Sequence, residues 1–129
     1  MSLPSAQAEP EVIALIEAYM AATNRRDLDG VRATLHFPHV LFSSAAVTHY
    51  PVAADFSFAA FDARTSGQGW AHSTWDSHRV LMSAPDKVHI DVCFTRWRAD
   101  GSKIGTYHAM YIVVRIDGRW GIQARSSQL

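Results

Sequence analysis

From residue 88 to residue 122 the chain reads VHIDVCFTRWR, ADGS, KIGTYHAMYIVVRI, DG and RWGI without interruption. Polar and apolar residues alternate through Val88 to Arg98 and again through Lys103 to Ile116, the period of an extended strand. Asp100-Gly101 and Asp117-Gly118 separate the runs, and both residue types tolerate positive φ, so each pair predicts a tight hairpin. Trp120 to Ser127 supplies a further strand. Upstream, His78 to Ser83 runs into Ala84-Pro85-Asp86-Lys87, where the fixed φ of proline suits a turn. This half of the chain predicts an antiparallel meander.

Hairpin geometry assigns faces. A two-residue turn at Asp100-Gly101 sets Cys93 opposite His108 and Asp91 opposite Met110. A turn at Pro85-Asp86 sets His78 opposite Cys93. One face then carries His78, Cys93 and His108 in a row, with His89 and Asp91 beside them, residue types that bind metals or activate thiols. The other carries Leu81, Val88, Ile90, Val92, Phe94, Tyr107, Ala109, Tyr111 and Val113. The apolar set predicts the core-facing side and leaves the histidine side to water or to a partner subunit. The sequence holds no His-Glu-x-x-His and no Cys-x-x-Cys, so no metal is expected.

The first half is helical. Val12, Ile16, Tyr19 and Thr23 recur at helical spacing, widened by Ile13 and Met20, and predict a helix over 11–24 with Pro10 in its first turn. Asp27 can cap a second helix bearing Leu28, Val31 and Leu35, weakened by Gly30 and stopped before Pro38. Short strands are predicted at His39 to Phe42 and Val47 to Tyr50, and a third helix between Asp55 and Arg64 carrying Phe58 and Phe61. Gly67 and Gly69 break structure before Trp70. Helices first and strands last define the α+β class, with residues 1–129 as one domain.

Composition narrows the function. The 129 residues are 48% hydrophobic, and twelve basic residues balance twelve acidic ones. That excludes a disordered chain, and it offers no electrostatic case for nucleic acid. Arg96 and Arg98, alternating with Trp97, fit a solvated strand edge. No apolar run approaches the roughly 20 residues of a membrane span, no secretory leader is visible, and the single Cys93 suits a reducing compartment, so a cytoplasmic protein is expected.

The element order resembles the nuclear-transport-factor-two-like, SnoaL-like superfamily, which includes the ketosteroid isomerases. The segment Ala21-Ala22-Thr23-Asn24-Arg25-Arg26-Asp27-Leu28-Asp29-Gly30 is similar to its helix-to-helix junction, and Ile116-Asp117-Gly118-Arg119-Trp120-Gly121-Ile122 to its last hairpin. The resemblance implies a cystatin-like cone, in which a strongly curved mixed or antiparallel sheet wraps the N-terminal helices around an apolar pocket. It also implies a homodimer packed through the sheet.

The same resemblance implies candidate site residues. Tyr19 falls where ketosteroid isomerases place the tyrosine that hydrogen-bonds the substrate oxygen. Ser43 falls where they carry a catalytic aspartate, and Ile112 near a second one, and neither side chain can replace a carboxyl group. Dehydratase-like relatives pair histidine with tyrosine, which singles out His39 and His49 among the seven histidines. Leu35, Leu41, Phe58, Phe61, Trp70, Trp75 and Tyr111 are expected to line the pocket, although core closure is the favoured reading of Trp70 and Trp75. Arg125, near the end of the last strand, can hold a ligand carboxylate or a surface ion pair. The expected function is binding of a small apolar or aromatic molecule, with no cofactor and no assigned reaction. The alternatives are an acid–base enzyme of the cyclase, dehydratase or isomerase kind and a protein-interaction domain. The enzyme and the ligand carrier both predict a cavity of about 300 Å³ or more, the enzyme with an oriented histidine pointing in and the carrier without one, whereas aromatic side chains filling the cavity favour the interaction domain.

Overall fold

The computed structural model describes residues 3–129, with side chains from residue 8 onward. Helix α1 (Leu3–Asn24) buries Val12, Ile16 and Met20 of the predicted stripe, together with Ala8 and Ala22, while Ile13, Tyr19 and Thr23 are half-buried. It begins earlier than predicted, so Pro10 lies inside it, and Pro10 is exposed. The helix ends in a Schellman turn: Asp27 N–H donates to Ala22 O at 2.9 Å and Arg26 N–H to Thr23 O at 3.1 Å, with Arg26 at φ 58°. Asp27 then caps α2 (Leu28–Ala33) by accepting from Gly30 N–H at 2.9 Å.

The second helix is shorter than expected. Leu35 belongs to β1 (Leu35–Phe42), which runs through Pro38 and pairs irregularly with its neighbour between Leu35 and Val40. β2 (Val47–Tyr50) follows. The predicted third helix divides into a 3₁₀ turn at Ala53–Asp55 and α3 (Ala59–Thr65). β3 (Trp70–Ala84) begins well before His78, the predicted start, so Trp70 to Trp75 is also strand. β4 (Lys87–Arg98), β5 (Lys103–Ile116) and β6 (Arg119–Ser127) complete the chain.

Six strands form one mixed sheet in the order β2-β1-β6-β5-β4-β3, parallel only between β1 and β6. Cys93 pairs with His108 and Asp91 with Met110, the predicted register, although the turn itself is longer than two residues: Arg98 N–H donates to Ser102 O at 2.9 Å, and an irregularity between Arg96 and Trp97 restores the count. The third member of the predicted row departs. An irregularity in β3 between Val80 and Met82 sets His78 against Val92 and Ser77 against Cys93, and a second follows between Trp75 and Ser77. Each bulge adds a residue, bends the strand and switches the faces beyond it. His78 therefore shares the side of Val92, its ring 5.0 Å from that of Trp75, and Leu81 is 50% exposed instead of core-facing.

Val88, Ile90, Val92, Ala109, Tyr111 and Val113 are buried, so apolar alternation assigns the concave side correctly for β4 and β5. Ile112 points the other way, and Tyr111 occupies the inner position that the family spacing had given it. α1 lies across this inner face, mainly against β3. Asn24 pins its end there, donating from Nδ2 to Ser73 O and accepting from Ser73 N–H, both at 2.9 Å.

Candidate ligand-binding cavity

Strand register assembles the site. On the inner face Leu41 of β1 neighbours Arg125 of β6, which neighbours Tyr111 of β5. One step along, Ser127 pairs with Ala109. Beyond them Phe94 pairs with both Tyr107 and Trp75, and Arg96 pairs with Ser73. α1 closes one side with Tyr19, Met20 and Thr23, and α3 adds Phe61 and Arg64 at helical i, i+3 spacing. The cavity between them has a volume of about 90 Å³ and opens to solvent.

That volume is well below the roughly 300 Å³ expected of an enzyme or a ligand carrier, because the protein's own rings occupy the cone. Tyr111 meets Tyr19 edge-on at 5.9 Å and Trp75 at 6.1 Å, and Trp75 meets Phe94 at 6.0 Å. Such edge-to-face contacts favour rigid, fully packed ring clusters.

Of the residues expected at the pocket, Tyr19, Leu41, Phe61, Trp75 and Tyr111 line it, and so does Ser43. Phe58 lines a smaller adjoining space of about 30 Å³, with the Arg26 guanidinium 4.7 Å from its ring centre. Leu35, at the start of β1, is fully buried in the core and outside the lining. Trp70 packs edge-on against Phe61 at 4.8 Å and donates its indole N–H to Ser73 Oγ, outside the lining. His49 is exposed on β2.

His39 is 0% exposed and lies behind the wall, not in it. Its Nδ1–H donates to Ile122 O at 2.9 Å, and its Nε2 accepts from Arg125 Nε–H at 3.0 Å. Burial first, then the Arg125 charge, pushes its pKa down to about 3. Neutral imidazole is thus the form the site requires, and both of its nitrogens are engaged. Arg125 also donates from Nη1 to the Tyr19 hydroxyl at 2.6 Å, with its guanidinium 5.6 Å from the Tyr19 ring centre. The Tyr111 phenol is held well above its usual range by burial and by the adjacent Tyr19.

Sequence reasoning missed several wall residues, two of them cations. Arg96, read as a solvated edge, is only 6% exposed and faces inward. Its parity with Val92 and Phe94 along β4 was the available signal. Arg64, three residues after Phe61, was the other.

The outer face carries His108 Nε2 at 2.5 Å from Asp91 Oδ1, with Arg79 3.9 Å from the same carboxylate. Among the described residues no group of three or more His, Cys, Asp or Glu is placed to hold a metal, and no helix is long and apolar enough to cross a membrane.

A curved sheet folded over an N-terminal helix is the cystatin-like architecture, and solved structures share it. A protein of unknown function with a cystatin-like fold from Nostoc punctiforme PCC 73102 superposes with a TM-score of 0.75 at 14% identity, over 93% of this chain and 89% of that one. An NTF-2 like protein of unknown function from Shewanella oneidensis MR-1 gives 0.75 at 17% identity, over 95% and 99%. A ketosteroid isomerase-like protein from Erwinia carotovora atroseptica SCRI1043 gives 0.64 at 17%, over 89% and 90%. The chain belongs to the family described as NTF2-like protein (DUF6841), whose model matches residues 8–128. No curated protein matches the sequence. These likenesses establish the fold, and no specific reaction is assignable from them.

Proposed function

We propose that this domain binds a small molecule with an aromatic or short apolar body in its concave cavity. The observation that carries the reading is an open cavity whose walls combine Trp75, Phe94 and Tyr111 with a polar group held in place, Arg125 locked by Tyr19 and His39. At about 90 Å³ it suits a single ring or a short chain, with any remainder projecting through the mouth. Binding is favoured over proton transfer, because His39 has no free nitrogen and His49 lies away from the cavity. The same reading includes a homodimer packed through the outer face of the sheet, where Trp97, Met110 and Ile112 are partly exposed, and a cytoplasmic protein with no nucleic-acid partner.

The test is titration of one-ring compounds into ¹⁵N-labelled protein. The expected result is saturable movement of the Trp75 indole and Arg125 Nε resonances while the outer-face amides of His108 and Asp91 stay still. If no compound moves the inner-face signals, the cavity is not a binding site.

A further inference from the structure

We propose that the guest is a small organic carboxylate, its oxyanion held by Arg96, Arg125 and Arg64 and its apolar body laid against Trp75 and Phe94. This rests on the small-molecule reading above and adds the chemical class.

Three guanidinium groups line one cavity, and no Asp or Glu lines it. Elsewhere the arginines are matched. Arg26 forks onto Asp62 at 2.7 and 2.9 Å, Arg115 reaches Asp86 at 2.8 Å and Arg25 reaches Asp27 at 3.1 Å. Arg98 and Arg119 donate to backbone carbonyls. Among the described residues, no ion pair includes Arg64, Arg96 or Arg125.

Arg96 is the sharpest case. Its guanidinium lies 5.2 Å from the Tyr107 ring centre, 5.3 Å from Phe61 and 5.9 Å from Phe94, and it has no side-chain hydrogen bond among the described residues. Ring faces attract and orient a guanidinium, but they leave its in-plane N–H donors unmet. A guanidinium stays charged in proteins, so it cannot escape burial by losing its proton. Arg125 is the complement. Its Nε and Nη1 are bound to His39 and Tyr19, which fixes the fork and leaves Nη2 free.

The three also oppose one another. Partial burial of Arg64 at the rim and near-complete burial of Arg96 lower their affinity for protons, and the Arg125 charge acts on Arg64 and the Arg64 charge on Arg96 in the same direction. Converging like charges in a partly dry cavity is unfavourable until an anion enters. A planar carboxylate matches the guanidinium fork, and the ring walls accept an apolar body. The Trp75 indole N–H, buried without a partner, is one more unmet donor in the wall residues.

The probes are benzoate, its neutral isostere benzamide, and inorganic phosphate, titrated by NMR and by thermal shift. Benzoate is expected to bind at least about tenfold more tightly than benzamide, to raise the melting temperature, and to weaken with added salt. Arg96→Met should cut benzoate affinity about tenfold or more while leaving benzamide unchanged. Arg64→Gln, at the exposed rim, should weaken benzoate without changing the fold and serves if the Arg96 variant is unstable. Equal affinity for benzoate and benzamide, or benzoate binding indifferent to both substitutions, overturns the carboxylate assignment and leaves the small-molecule reading standing. Phosphate binding more tightly than benzoate at the same residues overturns the carboxylate in favour of a phosphoryl group. Failure of all three probes to move the inner-face resonances overturns both readings.

Discussion

At the residue scale, His39 shows how burial decides a role. It was chosen as a titrating group, yet its surroundings hold it neutral: Arg125 donates to one nitrogen, Ile122 O accepts from the other, and Tyr50 and Phe37 close the space around the ring. It is a positioning residue for Arg125. An unfolded histidine takes up a proton below about pH 6.5, whereas folded His39 resists until about pH 3. The unfolded state therefore binds more protons through that window. Stability from His39 is fully present above pH 6.5 and is lost as pH falls toward 3, by at most about 5 kcal/mol. His78, also lowered by burial, adds in the same direction. Urea melts of wild type and His39→Gln from pH 7 to 4 should show a steeper acid loss for wild type, since glutamine preserves a donor and an acceptor without titrating there. Parallel slopes would show that His39 is not held neutral. The sequence named this histidine, but only tertiary contacts reveal which way its proton equilibrium moves.

At the element scale, the junction of α1 and α2 turns on a close approach. A Cβ at Gly30 would sit 2.8 Å from Asp27 Cγ and nearer still to Oδ2, against the cap itself. Gly30, read from sequence as a mild weakness of the helix, is what lets Asp27 fold back onto its N–H. Asp27→Ala should lower the melting temperature by a few degrees. Gly30→Ala should lower it as well, despite alanine's better helix propensity, and should do so much less in an Asp27→Ala background. Thermal melts of the two single variants and the double variant check this; a stabilising Gly30→Ala in the wild-type background would contradict the steric account. Tight approaches of this kind are invisible in composition, as are the bulges of β3. Alternation located the inner faces of β4 and β5 well, but one added residue in β3, between Val80 and Met82, carried His78 inward and left Leu81 exposed.

At the scale of the whole molecule, the helix lies inside the curve of the sheet and an open hollow remains, narrowed by Tyr19, Trp75, Phe94 and Tyr111. The proposed dimer, packed outer face to outer face, predicts a particle of twice the 14.3 kDa chain mass in light scattering, and a clean monomer removes it. Periodicity, turn residues and the helix-cap aspartate were enough to establish the α+β order, the paired hairpins and the inner apolar set, because each of these is a local or nearest-strand property. The gathering of Arg64, Arg96 and Arg125 was not legible. These residues lie on α3, β4 and β6, and they meet only because a bent sheet brings distant strands and a helix to one point. Charge convergence across the chain is a property of curvature and register, which no stretch of the sequence holds alone.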